Sequence, residues 1–216
     1  MNKTIRLNIG CSNSPTKGWF NYDNSYGIIV AKFSFLPNLL NRLNIISDKQ
    51  LDIANSYKEN HVGLANVVKK IPHADDSVDV VYSSHMLEHL DQQDAKKCLL
   101  EIYRVLKKGG ILRLALPDIE AKIEEYIKTK DADTFIQETY LTVPTPKSLI
   151  QRLYFFFIGP RHHLWMYDSE SLKKLLIDCG FNDPVSLSAG ETTITEPDNL
   201  TLHERADDSF YTEAKK

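Results

Sequence analysis

The sequence predicts an α/β fold on a mostly parallel sheet, with an antiparallel C-terminal hairpin at the sheet edge. Strand-like and helix-like stretches alternate along the chain, the pattern of strands joined by crossover helices. VDVVYSS, residues 78–84, is a β-branched run of the kind a buried central strand needs. Two late strand-like runs, PVSLS and DDSFYTEAKK, are joined by a polar loop and suit a hairpin at the edge.

Taken in order, TIRLNI is the first strand and GWFNYD the second. Residues 24–65 are hard to place. FSFLPNLLNRLNII suits a short apolar helix, and the segment reads either as an insertion over the site or as an irregular crossover. After 78–84, Leu99, Leu100, Ile102, Tyr103, Val105 and Leu106 recur at helical spacing, which predicts a helix over about 92–107. Lys107 and Lys108 followed by Gly109 and Gly110 suit its end, with cations at the negative end of the dipole and glycine free to turn left-handed. ILRLALPD, residues 111–118, is the next strand, followed by a helix through about 129 and more helix between 132 and 158. In YDSESLKKLLIDCGF, Asp168 or Ser169 suits the N-cap of a last helix and Gly180 its end.

Composition narrows the function. The chain has 216 residues, 42% hydrophobic and 25% charged, enough for one sizeable core and one domain over 1–216, with lid or insertion segments near 24–65 and 130–167. A net charge of −3 gives no global attraction to phosphate backbones, so no nucleic-acid partner is expected. Cys11, Cys98 and Cys179 are too few and too widely spaced for a disulfide framework or a zinc motif, which suits a reducing cytoplasm. No stretch approaches the roughly 18 apolar residues of a membrane span, and no export signal is visible.

LNIGCSNSPTKGWFNYD, residues 7–23, is a strand, a turn of small residues and a second strand ending in an acid. In a parallel sheet this is where a ligand sits, outside the carboxyl ends of the strands at the point where strand order reverses. Gly10 lets backbone approach a ligand, and Asp23 can accept hydrogen bonds from ribose hydroxyls. Ser12 stands where a glycine-rich turn carries its second glycine. A nicotinamide-dependent enzyme would need a fuller glycine-rich turn for pyrophosphate than GCSNSP supplies.

LNIGCSNSPTKGWFNYD, IPHADDSVDVVYSSHMLEHL, EIYRVLKKGGILRLALPD and LKKLLIDCGF, in this order, resemble the class I S-adenosylmethionine-dependent methyltransferases, which have a Rossmann-like fold. More narrowly they are similar to small methyltransferases associated with cell-surface polysaccharide synthesis. The resemblance implies S-adenosyl-L-methionine as cofactor, with Gly10, Cys11 and Ser12 against its methionine part and Asp23 on the ribose. It places Asn66 where the family commonly has an adenine-binding acid, with Val67, Ser83 and Ser84 completing the cofactor contacts. Asparagine can accept that hydrogen bond without charge assistance. A left-handed Ser12 would cost on the order of 1 kcal/mol.

The resemblance implies O-methylation of a sugar or sugar nucleotide. Such a hydroxyl must lose its proton, and histidine titrates in the right range. His85 follows the buried strand directly and is the first candidate base; its other readings are a positioning contact with the cofactor or a cap. Glu88 and His89 are expected to orient the loop. In RHHLWMYDSE, His163 is a candidate for chemistry and Arg161 and Trp165 for sugar or phosphate contacts. A metal set of His162 or His163 with His85 or Asp118 is weighed against a loop-tying role, and no metal is assigned. Asp118 is a second candidate base, or else the N-cap of the helix at Ile119. KSLIQRLYFFFIGP suits a lid packed on the sheet or on a second subunit, with peripheral membrane contact through 149–158 as the other reading. A non-catalytic partner protein in a glycan-assembly complex is the alternative function, supported by Ser12 and Asn66.

Overall fold

The computed structural model describes residues 4–33, 35–142 and 162–216. Their elements are β1 (Arg6–Ile9), β2 (Phe20–Asp23), α1 (Gly27–Ala31), α2 (Leu36–Arg42), α3 (Asp48–Glu59), β3 (Gly63–Leu64), β4 (Val78–Ser84), a 3-10 turn (Leu87–His89), α4 (Gln92–Val105), β5 (Leu106–Pro117), α5 (Ile119–Thr129), α6 (Ala132–Glu138), α7 (Ser169–Asp178), β6 (Asn182–Leu187) and β7 (Ser209–Lys215). The seven strands form one sheet in the order β3-β2-β1-β4-β5-β7-β6. Strands β1 to β5 pair in parallel, and β7 runs antiparallel to both β5 and β6. The expected antiparallel pair is therefore at the edge, with β7 against the parallel strands and β6 outermost.

Strand β4 has the predicted bounds, and its interior position explains its composition: Val78, Val80, Val81 and Tyr82 are all buried. Helix α4 starts where Asp91 accepts a hydrogen bond from the Asp94 N–H, and buries Ala95, Cys98, Leu99, Ile102 and Val105 on one stripe. It packs in the main core with Leu172 and Leu176 of α7. Asp168, one of the two expected caps, starts α7 through a capping box with Ser171.

The end of α4 differs from the expectation. The helix stops at Val105, and Lys107 to Gly110 belong to β5 instead of closing the helix. Val78 pairs with Leu106 and Val80 with Ile111, so this four-residue run bulges opposite Asp79 alone. Lys107 is held there by an ion pair with Asp79 at 2.7 Å. A Cβ on Gly110 would lie 3.1 Å from the Asp79 carbonyl oxygen, so the glycines serve the close approach of two strands.

Residues 24–65 form the crossover between β2 and β3, with α1, α2 and α3 packed on one another. Ile28, Ala31, Ala54, Tyr57 and Val62 close over the buried Cys11 side chain, so this crossover also backs the first turn. The apolar stretch 147–160 and Arg161 lie outside the described residues.

The far face of β5 carries a fully buried ion pair, Arg113 Nη1 to Glu213 Oε1 at 2.7 Å. Thr192 and Thr193 hydroxyls and the Thr193 N–H donate to the same carboxylate. Burial pushes the Glu213 carboxyl up, but these hydrogen bonds outweigh it and hold the group below its ordinary value. Its stabilisation is then complete above the ordinary carboxylate range and lost as pH falls through the lowered value. Glu213→Ala, which leaves Arg113 buried and unpaired, is expected to lower the urea unfolding free energy by about 3–5 kcal/mol. The Arg113→Met/Glu213→Leu pair is expected to lose far less and to lack this acid-dependent component.

Candidate active site

The site begins with the turn after β1. Ile9 is buried, and Gly10 leaves the strand with φ +65°. A Cβ here would stand 2.3 Å from Met86 Cγ and 2.7 Å from Met86 Cβ, so only glycine lets the β1 turn lie against the β4 turn. Ser83 at the end of β4 ties the two strands, donating its hydroxyl to the Ile9 carbonyl at 3.0 Å. The Ser83 hydroxyl is thus engaged in holding the two strands, while Ser84 lies half-buried beside it.

Asp23 closes the turn from the other side. Its Oδ2 accepts the Ser12 N–H at 2.9 Å and its Oδ1 the Ser25 N–H at 2.8 Å. Each carboxylate oxygen keeps a lone pair for a hydroxyl donor. Ser12 is held at φ +43°, the left-handed conformation whose cost a serine there must carry. Cys11 is buried, and burial followed by the nearby Asp23 charge raises its thiol far above the ordinary value, so it packs and does not react.

Two asparagines that sequence reasoning passed over hold the 10–19 loop. Asn8, 2% exposed, donates to the Ser14 carbonyl and the Thr16 hydroxyl. Asn21, 4% exposed, accepts from the Thr16 N–H and donates to the Thr16 and Trp19 carbonyls. Polar residues at inward positions of two predicted strands were the signal for this staple.

Asn66 is exposed and its Oδ1 accepts the Val68 N–H, while the Val67 side chain is buried in the main core. A cavity of about 700 Å³ beside β3 is lined by Asn66, Lys69, Lys70, Pro72 and His73 among others, but by none of Gly10, Cys11, Ser12 or Asp23. It is not the crevice those four residues define.

The turn after β4 holds the second half of the site. His85 leaves the strand at φ +48°, and its N–H donates to the Ala115 carbonyl. Its ring is buried, with Nε2 2.7 Å from Ser209 Oγ and Nδ1 3.5 Å from Glu88 Oε1. Burial pushes this imidazole down to about 4, helped by Arg205. His163 Nε2 approaches the same carboxylate oxygen at 3.9 Å, and burial followed by His89 takes His163 down to about 4 as well. Glu88 is 1% exposed, neither oxygen has a hydrogen-bond partner among the described residues, and burial lifts its carboxyl to about 8.

The 162–167 segment is clamped onto this turn. Leu164 and Trp165 N–H groups both donate to the Glu88 carbonyl, and His89 Nδ1 lies 2.9 Å from the His162 carbonyl. Tyr167 then bridges to Asp118 at the end of β5. The Asp118 carboxylate accepts the Glu120 and Ala121 N–H groups, so it is the N-cap of α5 that the sequence allowed. The structure thus brings His85 and His163 together around Glu88 and sets Asp118 at capping work. Glu88 as the centre was missed; the H-x-x-E-H spacing at 85–89 was its only local sign.

A family model described as a methyltransferase domain matches residues 44–114, less than half of the chain. No curated protein sequence matches the chain. Among solved structures, an S-adenosylmethionine-dependent methyltransferase of Methanosarcina mazei aligns with TM-score 0.52 at 16% identity, covering 100% of this chain and 93% of that one. One from Thermotoga maritima, described as a possible histamine N-methyltransferase, aligns with TM-score 0.51 at 17% identity, over 100% of this chain and 84% of that one. One from Archaeoglobus fulgidus aligns with TM-score 0.50 at 16% identity, over 100% and 87%. The fold is that of the class I S-adenosylmethionine-dependent methyltransferases. S-adenosylmethionine is the cofactor this match implies, and the glycine cradle at Gly10 with the lone pairs left on Asp23 fits it.

Gly10→Ala is expected to abolish heat of cofactor binding in isothermal titration, because the added methyl must displace Met86. Ser12→Gly removes about 1 kcal/mol of left-handed strain and is expected to raise the melting midpoint by roughly 2–4 °C.

Proposed function

We propose that the protein transfers a methyl group from S-adenosylmethionine to a hydroxyl of a sugar or sugar nucleotide used in surface glycan synthesis, in the cytoplasm. The carrying observation is the Gly10 turn pressed against Met86 with Asp23 beside it, at the reversal of strand order between β1 and β4. The sugar rests on the resemblance of the LNIG, GW-x-N-x-D and SSHxLEHL segments. The cofactor supplies an electrophilic methyl for in-line displacement, and rate then comes largely from holding the acceptor at attack distance.

In this reading Asp23 orients the ribose and Gly10, Cys11 and Ser12 offer backbone to the methionine part. The resemblance assigns Asn66, Val67 and Ser84 to the adenine side, with Asn66 opening on the separate cavity beside β3 and the Val67 side chain packed in the core. His85 is a positioning residue, since its ring is buried and bonded to Ser209. His163 is the other candidate to accept the hydroxyl proton, with a ring likewise buried and pushed down to about 4 by burial. Asp118 contributes by fixing the start of α5. Trp165, 42% exposed, offers an aromatic face for a sugar ring.

Titration with S-adenosylmethionine is expected to give one site in the micromolar range; no heat would overturn the enzyme reading in favour of a non-catalytic partner protein. Asp23→Asn is expected to weaken binding about tenfold, the difference between a charge-assisted and a neutral hydrogen bond. With labelled cofactor and glycan precursors, label is expected on a sugar oxygen, and label on nitrogen would refute the acceptor. His85→Ala is expected to lower kcat with the pH profile unmoved; loss of the acidic limb would make it the base instead.

A further inference from the structure

Among the described residues, Glu88, His89 and His163 each offer a ligand atom, and these atoms all lie within 4.8 Å of one another. Two donors bound to one tetrahedral ion, each about 2.0–2.2 Å from it, stand roughly 3.3–3.6 Å apart, so small side-chain rotations complete the set. The His162 carbonyl can only accept, so His89 Nδ1 carries the proton and the ring lone pair is on Nε2. This is how backbone carbonyls fix metal-binding imidazoles. Met166 Sδ, 3.1 Å from His163 Nδ1, and Glu88 Oε1, 3.9 Å from its Nε2, fix the second ring with Nε2 toward the carboxylate.

The second, independent observation is Glu88 itself. It is 1% exposed and, among the described residues, neither of its oxygens has a hydrogen-bond partner, an orphaned buried polar group of the kind a bound ion satisfies. His85 Nδ1 stands 3.5 Å from Oε1 and adds a further nitrogen at ligand spacing. Two imidazoles and a carboxylate suit a borderline divalent ion of the zinc type over magnesium or calcium, which prefer all-oxygen shells.

We infer that Glu88, His89 and His163 form a binding site for a zinc-like divalent cation at the carboxyl edge of the sheet. Three protein ligands leave a coordination position open, and His89 is exposed on the solvent side. The site shares its turn with Met86, which touches the Gly10 cradle. The use of the ion rests on the methyltransferase reading: an acceptor hydroxyl bound at the open position would lose its proton more readily, with His163 then a ligand in place of a base.

The test is titration of chelator-stripped protein with Zn²⁺, and with Co²⁺ to read its visible d–d spectrum, both without S-adenosylmethionine. One ion per chain is expected, with a tetrahedral-type Co²⁺ spectrum and a melting midpoint raised by Zn²⁺. Glu88→Gln keeps shape and removes the buried acid, so it is expected to fold at least as stably as the wild type while binding the ion more than about tenfold more weakly. His89→Ala, at an exposed position, is expected to weaken binding similarly, and His61→Ala, in a distant exposed turn, to leave it unchanged. No binding to the wild type, or equal binding by Glu88→Gln and His89→Ala, overturns the site. Zinc binding with no cofactor binding would uphold the metal site while refuting the methyltransferase reading.

Discussion

The close approach of the β1 turn to the β4 turn governs the rest of this molecule. Gly10 at φ +65° leaves no room for a side chain against Met86. Because β1 and β4 are neighbours at the point where strand order reverses, these two turns form the walls of one crevice. Everything beside them braces that contact: Ser83 to the Ile9 carbonyl, Asp23 to the Ser12 N–H, Asn8 and Asn21 through the 10–19 loop. The brace is polar and largely buried, so each group must be satisfied and the geometry has little freedom.

The antiparallel β7 is the second determinant. Its direction carries its first residue, Ser209, to the carboxyl ends of β4 and β5, where it pairs opposite Pro117 and meets the His85 ring. The Asp118 to Tyr167 bridge does the same for the 162–167 segment. A cluster of three imidazoles around one buried carboxyl is therefore assembled from β4, its turn, and a segment more than seventy positions later. Its groups are shifted in opposite directions by one cause. Burial drives His85 and His163 down and Glu88 up, so at neutral pH these three groups are largely uncharged.

What the sequence by itself determined is local. The β-branched run 78–84, the caps Asp118 and Asp168, and Gly10 as the turn residue follow from short-range sterics and hydrogen bonding, which do not depend on distant residues. Only the tertiary structure decided the rest. Lys107 to Gly110 read as a helix end because cations and glycines suit one, yet pairing with Asp79 drew them into β5. Glu88 read as an ordinary loop acid because burial is set by what covers a residue. Its partner His163 is 75 positions away, and no local pattern can place a carboxyl beneath a segment that only the completed sheet brings to the same edge.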